Sequence, residues 1–279
     1  MPEILEKFIR YIEAAGVSEN TRQAYQRDIR QLIIWLEAGD IQDPGSVSGA
    51  DLQSYAEMME KEGKSAATIS RNIASIKKFF AFAYANGYVF SNPAEGLHGP
   101  KVIRKTPSVL SQSEIKKLLS VPDTATRKGI RDKAILIMLT ETGICVSEII
   151  SLKCTDADLG MRTVYAGEER RPIVISRHAS AVLRDYLKVR SEFLTDPSAD
   201  DDTFFLSYAG GQMTRQGLWK IIRSCGRSAG IREITPQILR HSFAVSALKS
   251  GKDVISLQKL LGHRSRSGSL EYQNLVSLI

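Results

Sequence analysis

"NPAEGLHGPKVIRKTPS", Asn92 to Ser108, holds three prolines (Pro93, Pro100, Pro107) and two glycines (Gly96, Gly99) and has no apolar period. Neither a helix nor a strand can run through such a stretch, so the 279-residue chain divides here. The reading that follows is an N-terminal helical domain over residues 1–97, a linker over 98–107 and a C-terminal domain over 108–279. Lys101, Arg104 and Lys105 lie in the same stretch. They are candidates to follow a phosphate backbone while joining the two domains.

Before the linker, apolar residues recur at spacings of three and four: Phe8, Ile9 and Ile12, then Ile29, Leu32, Ile33 and Leu36. That is helical spacing. Two further helices are expected over Gly49–Glu62, starting at Ser48 or Asp51, and over Ser65–Asn86, with Thr68 near its first turn. After the linker, "SQSE" at Ser111–Glu114 sets a hydroxyl three residues before an acid, the spacing of a capping box. A strongly apolar helix is expected over Asp132–Thr142, ending at Gly143, and another begins near Val146. "TVYAGEERRPIVIS", Thr163–Ser176, places two β-rich runs around a charged turn and reads as a hairpin. A helix over Ala179–Glu192 follows. "TFFLS", Thr203–Ser207, looks like a short strand, and helices fill the rest. Trp219 and Phe243 are expected in the core. The fold class is mainly α with one small β-sheet, in two domains.

Composition places the protein among ordinary globular chains, with 43% hydrophobic and 25% charged residues. No apolar run approaches the roughly 18 to 20 residues that span a bilayer, and the N-terminus lacks a signal-peptide layout. A cytoplasmic location is the expectation. Cys145, Cys154 and Cys225 are too few and too scattered for a disulfide framework or a zinc site and are read as reduced thiols. The net charge of +7 is unevenly spread: residues 1–106 hold 13 bases and 13 acids, whereas residues 203–279 hold 11 bases and 3 acids. A polyanion-binding face near the C-terminus is one reading and a merely solvated basic surface the other.

The chemistry centres on "LLGHRSRSGSLEY", Leu260–Tyr272, where a histidine stands nine positions before a tyrosine among arginines. A tyrosine in isolation is an ordinary half-buried side chain. Its neighbours in sequence change that reading. "TGICVSEIISLKCTD" (Thr142–Asp156), "ITPQILRHSFAVSAL" (Ile234–Leu248) and "LQKLLGHRSRSGSLEY" (Leu257–Tyr272) resemble the three signature boxes of the tyrosine recombinases, particularly the Xer-type and phage-integrase branch. "SENTRQAYQRDIRQLIIWL" (Ser18–Leu36) resembles the opening of that family's core-binding domain, so the resemblance covers nearly the whole chain.

The resemblance implies a clamp around double-stranded DNA, made by a SAM-like core-binding domain and a catalytic domain. It also implies a tyrosine that attacks a scissile phosphate to give a 3′-phosphotyrosyl bond and a free 5′-hydroxyl. A covalent intermediate conserves the phosphodiester energy, so no cofactor and no metal are expected. By position Tyr272 is the nucleophile, Arg240 the second arginine and His263 a donor ahead of the tyrosine. His241 is a neighbour of the site and, with Arg170, Arg171, Lys101 and Arg104, a candidate phosphate contact. In the helical domain Ser18, Thr21 and Arg22 are either phosphate contacts or, for Ser18 and Thr21, a helix cap. Self-association on DNA, from dimer to tetramer, is expected, with or without a second recombinase, and without any membrane. The apolar tail "QNLVSLI" after Tyr272 is expected to dock on its own or a neighbouring protomer.

Three positions depart from the family pattern. Cys145 stands where the first arginine belongs, Gln237 replaces the usual His or Lys three residues before Arg240, and no lysine occupies the hairpin turn at Ala166–Glu169. Cysteine cannot fork onto two phosphate oxygens as a guanidinium does, and glutamine donates a hydrogen bond but transfers no proton. Two functions therefore stay open at this level. One is a site-specific recombinase or integrase that breaks and rejoins DNA. The other is a catalytically weakened or inactive relative that binds DNA as an accessory or partner subunit.

Overall fold

The computed structural model describes residues 1–102, 107–194, 202–262 and 272. The chain forms two compact units, Met1–Lys105 and Thr106–Ile279. In the first, helices α1 (Pro2–Ala14), α2 (Glu19–Ala38), α3 (Gly49–Lys61) and α4 (Ala66–Ala85) surround a core of Phe8, Ile12, Leu32, Leu36, Leu52, Ile76 and Phe79. Phe8 and Phe79 meet edge to face with centroids 5.5 Å apart.

Hydroxyl side chains start three of these helices. The Ser18 hydroxyl accepts from the Thr21 N–H, the Ser65 hydroxyl accepts from the Thr68 N–H, and Ser48 and Asp51 form a reciprocal capping box. Ser18 is thus a cap in this structure, and the Arg22 side chain is engaged by Glu19 and Glu13. One buried acid, Asp28, joins α2 to α4 by accepting from Arg71 and, at 2.8 Å, from the Ser75 hydroxyl.

The second unit is built around α6 (Arg127–Thr142), which is buried on every side from Ala134 to Leu139. An all-round apolar helix must sit at the centre of its domain. Helix α5 (Gln112–Ser120) precedes it, starting in the Ser111–Glu114 capping box, and the short α7 (Val146–Ser151) follows. Strands β1 (Ala157–Asp158), β2 (Thr163–Ala166) and β3 (Arg171–Val174) form one antiparallel sheet in the order β1-β2-β3. Its inward-facing Val164 and Ile173 are paired. Helices α8 (Arg177–Val189), α9 (Arg215–Ser228), α10 (Pro236–Lys249) and α11 (Val254–Leu261) complete the unit.

Three expectations are corrected. Helix α6 starts five residues earlier than its apolar pattern, because Thr126 caps it through the Gly129 N–H at 3.0 Å and its first turn is polar. Thr203–Ser207 forms no strand and contributes only the isolated bridges Lys153↔Thr203 and Leu206↔Gln212, while Phe204 and Phe205 fill the core. Trp219 is 40% exposed rather than in the core. Phe243 packs against a small cluster of Ala244, Val245, Leu257, Leu261 and Tyr272.

Candidate active site

Gly143 ends α6 in the left-handed conformation, φ 62°. A side chain there would overlap the Phe243 ring and lie 2.8 Å from Leu261, so only glycine lets α10 and α11 come this close. The chain then turns through buried Ile144 into Cys145, the N-cap of α7. The Cys145 N–H donates to Glu148 Oε2 at 2.9 Å, and Cys145 Sγ lies 3.0 Å from the Ser147 hydroxyl. A cysteine at the helix N-cap thus stands where a guanidinium was expected.

Glu148 is the electrostatic centre of the cluster. Its Oε1 accepts from Arg171 Nη1 at 2.7 Å, and its Oε2 lies 4.0 Å from Arg240 Nη1. Burial pushes the Glu148 carboxyl up. The Arg171 hydrogen bond, the Cys145 N–H and the Arg171 charge together outweigh that, so the group is held below its ordinary range and is ionised at neutral pH.

Both arginines also hold the end of α11, whose last carbonyls attract cations. Arg171 Nε donates to the Leu260 carbonyl at 2.9 Å, and Arg240 Nη2 donates to the Leu261 carbonyl at 2.8 Å. Arg240 Nη1 reaches the Gly143 carbonyl at 2.8 Å. The Arg171 guanidinium lies against Gly262 (φ 69°), where a Cβ would come within 3.0 Å of its Cζ. Arg171 Nη2 is buried and, among the described residues, has no hydrogen-bond partner.

The hairpin decides which arginine reaches this cluster. Ala166 pairs with Arg171 across a turn in which Gly167 (φ 73°) and Arg170 (φ 47°) are both left-handed. Neighbouring residues at a strand end project to opposite sides. Arg171 goes inward, whereas exposed Arg170 binds Asp156 at 2.6 Å and stacks over Tyr165.

Tyr272 is buried and packs on Leu257 and Leu261. Its hydroxyl lies 2.9 Å from His241 Nδ1, with the two rings 5.2 Å apart. His241 follows Arg240 on α10, so one helix carries both a charge for an anion and a group in contact with the phenol. Gln237, one turn earlier, is exposed. His263, Arg104 and the tail after Tyr272 lie outside the described residues, and Lys101 is exposed in the first unit. Sequence spacing revealed neither the Tyr272–His241 contact nor the pairing of Glu148 with Arg171 and Arg240.

Concavities also lie elsewhere in the unit. A cleft of about 570 Å³ between α6 and α9 is lined by the buried Arg131–Asp132 pair, Lys128 and Lys220 and holds none of the residues above. A groove of about 640 Å³ is lined by Trp219, Arg223, Arg227 and Arg232 with Glu233 as its acid. Trp219, Arg223 and Arg227 recur every fourth residue and therefore share one face of α9. Among the described residues no group of three His, Cys, Asp or Glu could hold a metal ion.

A mainly helical domain that gathers two guanidiniums, a half-buried carboxylate and a histidine-bound tyrosine defines a class of protein equipped for tyrosine-based chemistry on an anionic ester. Comparison with known proteins gives that class a family. Residues 108–276 match the phage integrase family and residues 5–87 the phage integrase N-terminal SAM-like domain. The chain is 36% identical to tyrosine recombinase XerD of Listeria monocytogenes, covering 100% of this chain and 96% of that protein. It is 34% identical to tyrosine recombinase XerC of Roseiflexus sp., covering 99% and 90%. The crystal structure of XerH site-specific recombinase bound to palindromic difH substrate superposes with a TM-score of 0.76 at 20% identity, over 98% of this chain and 81% of that one, a likeness of fold. The chain belongs to the phage integrase family of tyrosine recombinases and is of the Xer type.

Proposed function

We propose that the protein is a site-specific recombinase that binds duplex DNA and exchanges strands through a 3′-phosphotyrosyl intermediate on Tyr272. The observation that carries this reading is the Tyr272 hydroxyl, seated 2.9 Å from His241 on the helix that also presents Arg240, in a chain that resembles Xer recombinases from end to end. Arg240 and Arg171 supply positive charge for the phosphate, and charge held in place before the reaction lowers the barrier without reorganisation. Glu148 keeps both guanidiniums in place. The lone Nη2 of Arg171 offers a donor that a phosphate oxygen satisfies. His263, by resemblance, donates to the same phosphate.

DNA is held by the basic groove of Trp219, Arg223, Arg227 and Arg232, and by the first unit, which is similar to the SAM-like domains of the family. Lys101 and Arg104, in the basic linker sequence, are further contacts to the phosphate backbone. The protein acts in the cytoplasm, where its DNA lies, and assembles with further copies on paired sites.

The test is covalent trapping. A duplex recovered from a random-sequence pool by binding to the full chain is nicked beside each candidate phosphate in turn, so that a cleaved end diffuses away and the adduct accumulates. A protease-sensitive adduct that disappears in Tyr272→Phe supports the reading. Tight binding with no adduct from the unmodified chain, and an adduct once Cys145→Arg and Gln237→His are introduced together, replaces it with a DNA-holding relative.

A further inference from the structure

We propose that His241 is a catalytic residue: its Nδ1 takes the phenolic proton of Tyr272 as the tyrosine oxygen attacks phosphorus. The proposal rests on Tyr272 being the nucleophile. A phenol with a pKa near 10 is mostly protonated at neutral pH and attacks poorly until a neighbouring base removes its proton. A candidate base must lie within about 2.6–3.2 Å of that proton's oxygen. His241 Nδ1 does, at 2.9 Å.

The position is built by the fold. His241 is half-buried on α10, one helical turn beyond Gln237 and on the same face. Glutamine cannot accept and release a proton in this role, whereas imidazole can. Arg240, the preceding residue, donates to the Gly143 and Leu261 carbonyls, whereas His241 Nδ1 meets the phenol oxygen. Leu257 and Leu261 close the apolar side of Tyr272 and hold its ring at an angle of 57° to the imidazole.

The step balances. With His241 neutral and its proton on Nε2, the phenol donates to Nδ1. The bond from the Tyr272 oxygen to phosphorus forms, the bond from phosphorus to the 5′ oxygen breaks, and the 5′ oxygen takes a proton from solvent. On rejoining, an incoming 5′-hydroxyl loses its proton to solvent and displaces the tyrosine, which recovers its own from His241. No metal, oxidant or nucleotide enters the balance.

The experiment measures single-turnover adduct formation on the nicked duplex by the full chain, by His241→Ala and by His241→Gln. Each is made with tyrosine and with 3,5-difluorotyrosine, a far more acidic phenol, at position 272. With tyrosine, both His241 variants are expected to slow the reaction, measured at saturating protein, by about a hundredfold or more. His241→Gln loses as much as His241→Ala, because a hydrogen bond without proton transfer does not suffice. Difluorotyrosine restores most of the loss in both variants and changes the unmodified chain little, since an ionised nucleophile needs no base.

Two results overturn the proposal: His241→Ala reacting as fast as the unmodified chain, or difluorotyrosine changing all three proteins by the same factor, which marks His241 as packing only. An unmodified chain that forms no adduct overturns the parent reading instead and is told apart by that alone.

Discussion

Replacing Glu148 with alanine tests the electrostatic frame of the site. The Glu148 and Arg171 side chains are only 14% and 15% exposed and meet at 2.7 Å. At an effective dielectric of about 20, charges at that distance attract by about 6 kcal/mol, a gain largely offset by the desolvation of both ions. Removing one member forfeits the attraction and strands the other charge. The loss is expected to be about 3–5 kcal/mol, a large part of a domain's typical stability of about 5–15 kcal/mol.

The chain has one tryptophan in each unit, Trp35 and Trp219. Trp219 fluorescence in a Trp35→Phe background therefore follows urea unfolding of the second unit alone. Glu148→Ala is expected to lower the midpoint at constant slope. Glu148→Ala combined with Arg171→Ala is expected to be less damaging than the two single losses added together, by roughly 0.5–3 kcal/mol of coupling.

The pH dependence has a fixed sign. The folded Glu148 carboxyl is depressed below its unfolded value of 4.5, so its contribution is complete above that value and fades as the pH falls through the folded one. The penalty of Glu148→Ala at pH 7 should shrink in acid. A loss below about 1 kcal/mol at pH 7, or strict additivity in the double variant, refutes the reasoning.

Other outcomes follow from the same geometry. Gly143→Ala meets both a left-handed backbone and the Phe243 ring, and should destabilise the second unit by about 2–4 kcal/mol in the same urea assay. Arg223→Ala and Arg227→Ala, in the Trp219 groove, should weaken DNA binding and reduce the slope of log K against log salt by about one each, as read by fluorescence anisotropy. The Cys225 thiol is pushed up to about 11 by burial, so iodoacetamide at pH 8 should label it more slowly than a free thiol, as followed by peptide mapping. If Arg171 faces the phosphate, the cleavage defect of Arg171→Ala should be relieved when a neutral methylphosphonate replaces that phosphate.

Local signals in the sequence carried much of this architecture. The Ser111–Glu114 capping box formed as its spacing implied. The hairpin strands fell on the two β-rich runs around "GEER". Where polar residues belong to an element, spacing failed: the first turn of α6 is charged, and its continuous apolar run begins only at Ala134. "TFFLS" has the composition of a strand, but Phe204 and Phe205 are both buried, a pattern that alternation cannot identify.

The sequence named Arg171, Arg240, His241 and Tyr272 but neither Glu148 nor the contacts that join these residues. Arg170 and Arg171 are adjacent, and only the strand register separates the inward one from the outward one. His241 and Tyr272 stand 31 residues apart, and no spacing rule joins them. Trp219 reads as core by size, yet its position on the arginine face of α9 exposes it.

The central claim is that the oxygen of Tyr272 carries the DNA. The most direct measurement digests the trapped adduct with nuclease and protease and identifies, by mass spectrometry, the peptide that retains a nucleotide 3′-phosphate. The account predicts that mass on Tyr272. The same mass on another tyrosine or on Cys145, with Tyr272 unmodified, would contradict it.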